Sequence, residues 1–91
     1  MNKQIMTKFL EYETDLDRFR RERNQQICID YLDRSCDILN KGISPNRVIQ
    51  YLSSVYHLTA VSIKRILKER GVFADRHTPV IYPDWYHKLQ P

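Results

Sequence analysis

The chain has 91 residues, 42% hydrophobic and 29% charged, with a formal net charge of +4. A domain of this length leaves on the order of a third of its unfolded surface exposed, so one small core is expected, marginal alone and helped by self-association. No apolar run approaches the ~20 residues that cross a bilayer, and Met1-Asn2-Lys3 opens a charged amphipathic segment rather than a signal peptide, so the expectation is a cytoplasmic protein.

Residues 1–40 form the first region, and no Gly or Pro occurs before Gly42, so about 3–40 reads as helix throughout. Ile5, Phe9, Tyr12, Leu16 and Phe19 alternate at four- and three-residue spacing, a heptad seam of two repeats. After Arg23 the pattern widens to Ile27, Cys28, Tyr31, Leu32, Cys36 and Leu39, a stripe suited to packing on a pair of helices later in the chain. One long helix, or two with a break near residues 20–24, both satisfy this spacing. The seam suits either an arm folded back on its own core or a dimerisation arm. Cys28 and Cys36 stand ~12 Å apart along a straight helix, too far for a disulfide within the chain, and are expected to be reduced and partly buried. Asp15, Asp17, Asp30, Asp33 and Asp37 alternate with cations as solvated helix faces do.

Residues 41–72 carry the strongest signal. Gly42 suits the left-handed residue that closes a helix, and Ser44-Pro45 is a helix start, with a hydroxyl to accept an orphan N–H and a proline where no N–H is needed. Leu52, Val55 and Tyr56 make a stripe that stops at Tyr56. Leu58 stands alone, Thr59 is placed to cap, and Ile63, Ile66 and Leu67 run in a new phase until Lys68, Arg70 and Gly71-Val72 supply a helix end. The spacing predicts helices at about 44–56 and 59–70 joined by a tight bend, a helix-turn-helix. In that motif the first helix braces the second, and the second meets the major groove of DNA. Ala60, Val61, Lys64, Arg65 and Lys68 fall opposite the second apolar stripe, and three of the five are cationic.

Tyr56-His57-Leu58-Thr59, followed by Ile63, Ile66-Leu67 and Gly71, resembles the turn and second helix of bacterial and phage helix-turn-helix regulators. Within that group the chain is most similar to Mor-type phage transcription activators, through Arg23-Asn24, Ile27, Gly42 and Tyr56 to Thr59; the resemblance covers about residues 23–72. Two departures stand out. His57 replaces the commonest glycine, which requires a histidine with φ > 0 or a different turn, and Ser53 replaces an alanine at the helix crossing.

Charge follows the same division. Residues 1–40 hold seven Lys and Arg against eight Asp and Glu, a net −1, whereas residues 41–91 hold eight against three, a net +5. An excess confined to the half with the reading helix is what counterion release from nucleic acid favours. Thr59, Ala60, Val61, Lys64 and Arg65 are therefore expected to read bases, with Arg65 placed for a bidentate guanine contact, and Lys41, Arg47 and Lys68 to meet phosphates.

Residues 73–91 set Pro79, Pro83 and Pro91 among Val80, Ile81, Tyr82, Trp85 and Tyr86. An extended run over 79–82 and one or two helical turns over 83–89 are expected, either completing the core or lying on a second subunit or on DNA. His57, His77 and His87 lack metal-ligand spacing, and with only Gly42 and Gly71 there is no glycine-rich phosphate loop. The sequence thus predicts an all-α protein, not an enzyme, with no cofactor, metal, small-molecule ligand or membrane span. It is expected to bind double-stranded DNA as a homodimer, acting as a small transcription regulator or mobile-element accessory protein. The competing reading is a protein-interaction module that uses the heptad arm and the aromatic tail.

Overall fold

A computed structural model describes residues 14–89, and every element among them is helical: α1 (Asp15–Asp33), α2 (Ser35–Asn40), α3 (Pro45–Tyr56), α4 (Ala60–Glu69) and α5 (Asp84–His87). The chain is all-α, as expected. Ile5, Phe9 and Tyr12 lie outside the described residues.

The first helix has a start that composition does not reveal. Thr14 is extended, its Oγ1 accepts from the Asp17 N–H at 3.0 Å, and the Asp17 carboxylate accepts from the Thr14 N–H at 3.4 Å. Two orphan donors are thereby satisfied, and Asp15 and Asp17 complement the positive end of the dipole. A helix uninterrupted across 3–40 is therefore corrected, and so is a break near 20–24. The break falls at Arg34 (φ −89°, ψ 0°), where the Ser35 hydroxyl donates to the Leu32 carbonyl at 2.5 Å and competes with the regular ladder. This shifts the phase of everything after it. Ser35 and Ile38 face the core, while Cys36 and Leu39, which a continuous stripe would bury, are exposed.

Helix α3 begins as the sequence indicates, with the Ser44 hydroxyl accepting from the Arg47 N–H at 3.3 Å and Pro45 at the first position. It ends at His57, which adopts φ 56° and ψ 41°. The N–H groups of His57 and Leu58 both donate to the Ser53 carbonyl, and the Ser53 hydroxyl donates to the Leu58 carbonyl, so Ser53 closes the turn from both sides. Thr59 then caps α4, its Oγ1 accepting from the Ser62 N–H at 3.1 Å. Gly71 at φ 73° and the bond from Val72 N–H to Leu67 O close the other end.

The core joins Ile27, Cys28, Tyr31 and Leu32 of α1 to Val48, Ile49 and Leu52 of α3 and Ile63, Ile66 and Leu67 of α4. Burying each such side chain contributes about 1.5–3 kcal/mol. Val55, assigned to the α3 stripe from sequence, is exposed instead; Val48 and Ile49 hold the inward positions one turn before Leu52. Tyr56 is half-buried and donates its hydroxyl to Asp30.

The C-terminal segment lies on this same core. Val72 and Phe73 are buried, and Val80, Trp85 and Tyr86 pack against the cluster. Tyr31 donates to the Pro79 carbonyl at 2.6 Å, Tyr86 to Asp33 at 2.7 Å, and the hydroxyls of Ser35 and Tyr82 pair. Residues 79–83 run without regular structure into the single turn of α5.

Candidate functional site

Helix α4 presents two opposite faces because its apolar residues sit three and four apart. Ile63, Ile66 and Leu67 are buried, whereas Val61, Lys64, Arg65 and Lys68 are exposed, Val61 at 79%. Among the described residues the side chains of Lys64 and Arg65 have neither a hydrogen bond nor an ion pair. The Lys68 ammonium stands 5.9 Å from the centre of the Phe73 ring. An exposed valine thus stands among exposed cations on the outer face of α4.

The other two expected base readers are placed differently. The Thr59 hydroxyl is occupied at both ends, accepting from Ser62 N–H and donating to Ser62 Oγ at 2.9 Å. Ala60, counted with the outer face from sequence, is half-buried and packs against the core. The expected phosphate contacts spread over three elements. Arg47 is exposed in the first turn of α3, Lys68 lies in the last turn of α4, and Lys41, just past α2, pairs with Asp37 at 3.1 Å. That pair is largely solvent-exposed on the lysine side, so it holds Lys41 only weakly.

A groove of about 460 Å³ opens beside this surface, between residues 44–46 and Ile49 of the α3 region, Lys64 of α4, and Phe73 and Arg76 of the loop after α4. Arg76 was missed from sequence. Its signal was local: Asp75 followed three residues later by Thr78 is a turn pattern, and the Asp75 carboxylate does accept from the His77 and Thr78 N–H groups at 2.8 and 2.9 Å. Those two backbone bonds hold the Asp75 carboxyl below its usual range, outweighing the opposing effect of desolvation.

At the far end of α1, Leu16 and Phe19 are 56% and 63% exposed and share one face at a three-residue spacing. Between there and the core, Arg70 reaches from the end of α4 to Gln25 at 2.8 Å, and among the described residues every side chain of α1 before residue 21 is exposed. Among the described residues no three His, Cys, Asp or Glu side chains gather as a metal site, and no helix is long and apolar enough to cross a membrane. Comparison with protein-family models, curated proteins and solved structures returns no match.

Proposed function

We propose that this chain binds double-stranded DNA through a helix-turn-helix made by α3 and α4, in the manner of the Mor-type activators it resembles, as a small transcription regulator or mobile-element accessory protein in the cytoplasm. The observation that carries the reading is Arg65: exposed, with a side chain that has no partner among the described residues, and one turn into the second of two helices joined across a left-handed His57. Its planar fork matches the two acceptors that guanine presents in the major groove, and exposed Val61 suits the thymine methyl group. The exposed Leu16–Phe19 face supports a homodimer, which would set two reading helices on two half-sites.

Duplex of random sequence, titrated at low and moderate salt, tests this. A DNA binder shifts the duplex and loses affinity steeply as salt rises. Absence of any shift at low salt would favour the second reading, a protein-interaction module. Among the described residues that alternative is favoured by exposed Leu16 and Phe19, whereas Val80, Trp85 and Tyr86 of the aromatic tail pack on the core of their own chain and Tyr82 and Leu89 stay exposed.

A further inference from the structure

Lys64 and Arg76 come from different elements yet line the same groove, whose floor is the apolar pair Ile49 and Phe73. No acidic side chain among the described residues lines it. Among the described residues neither cationic side chain has a hydrogen bond or ion pair. The nearest carboxylate on the loop, Asp75, is engaged by the amides of its own turn. We propose that Lys64 and Arg76 form a clamp for a phosphate group, filled by a backbone phosphate of the duplex; this rests on the DNA-binding reading above.

Several observations converge on that chemistry. The groove's volume of about 460 Å³ is many times the roughly 30 Å³ that one water takes up in the liquid, so it has room for a phosphodiester with its sugar. An ammonium and a guanidinium offer donors in different geometries, which suits a tetrahedral oxyanion with several acceptors. The apolar floor lowers the local dielectric and strengthens both attractions.

Arg76 is also held ready. The loop that carries it is fixed on one side by buried Phe73, packed edge-on against Tyr31 with centroids 6.3 Å apart, and on the other by the bond from Tyr31 to the Pro79 carbonyl. Across its base the Ala74 N–H donates to the Thr78 carbonyl at 3.3 Å. The loop backbone is thus ordered before binding, and what binding must still order is the exposed Arg76 side chain itself. The consequence is a division of labour on α4: Lys64, expected from sequence to read bases, instead contributes affinity regardless of sequence, and Arg65 carries the preference.

Fluorescence anisotropy on a selected cognate duplex and a random duplex, over a range of salt, tests the clamp. Lys64→Ala and Arg76→Ala should each weaken both duplexes by the same factor and reduce the slope of log affinity against log salt by about one, the double variant by about two, with Arg76→Lys restoring the slope. A change of sequence preference in Lys64→Ala, or no change on either duplex in Arg76→Ala, overturns the clamp while leaving DNA binding intact. Should the wild-type chain bind no duplex, amide NMR with inorganic pyrophosphate decides. Saturable shifts at Asn46, Lys64 and Arg76 that vanish in Arg76→Ala would keep the clamp and remove DNA as its source, and silence there overturns it.

Discussion

Tyr31, in the last turn of α1, donates its phenolic hydrogen to the carbonyl of Pro79, 48 residues later, at 2.6 Å. The ring itself is fully buried, so this one side chain both fills the core and ties down the segment after α4. Tyr31→Phe keeps the packing and leaves the carbonyl without its donor, at a cost of about 1–3 kcal/mol. Thermal unfolding should then show Tm lowered by about 4–8 °C for each kcal/mol lost. An unchanged Tm would mean that the segment is held by its apolar contacts alone.

Alkaline pH should unfold the protein through three groups. Burial pushes the Cys28 thiol up to about 11 from an ordinary value of 9.0, the Arg70 guanidinium opposing it only in part. Burial likewise raises the Tyr31 hydroxyl, and burial together with the bond to Asp30 raises that of Tyr56. The fold favours the protonated form of each, so their contribution is whole below the pH at which the unfolded group ionises and is lost above it. Urea midpoints should hold to about pH 9, decline as the unfolded thiol ionises, and fall more steeply beyond about pH 10 as the phenols ionise in turn. In Cys28→Ala the decline should begin about one pH unit later. Midpoints that stay level through pH 11 would contradict this.

His57 sits in left-handed backbone at φ 56°, which costs a residue with a Cβ about 1–2 kcal/mol. His57→Gly removes that cost but adds about 0.5–1 kcal/mol of chain entropy in the unfolded state. A net gain of about 0.5–1 kcal/mol in chemical denaturation is the expected result, and His57→Val should be destabilising. A less stable glycine variant would reveal an imidazole contact that outweighs the strain.

Leu16 and Phe19 continue the spacing set by Ile5, Phe9 and Tyr12. Sedimentation at micromolar concentration should find a dimer, and Leu16→Asp with Phe19→Asp should yield a monomer of nearly unchanged helix content. A wild-type monomer at every concentration would remove the arm as an interface.

The two central helices were legible because their signals are local. Ser44-Pro45 and Thr59 cap where their chemistry says, and a histidine at the bend takes the positive φ that glycine would. The break at Arg34 was not legible, since no Gly or Pro marks it and the hydroxyl of Ser35 acts only once the helix is in place. That one break reversed the burial of Cys36 and Leu39, and a neighbouring choice among apolar residues left Val55 outside. The tail's place was hidden for another reason: Tyr31, Tyr82 and Tyr86 hold it through bonds spanning 47 to 53 residues, which no local pattern encodes. Arg76 acquires a neighbour in Lys64 only through that packing.

The most direct measurement is the affinity of wild type and Arg65→Ala for a duplex selected from a random pool, set against an unselected duplex at the same salt. Reading by Arg65 predicts a loss of about 1–3 kcal/mol on the selected site and little on the other, so that preference relaxes, whereas Lys68→Ala should weaken both alike. If Arg65→Ala binds both duplexes as wild type does, α4 is not the reading helix, and the basic surface holds DNA by charge alone.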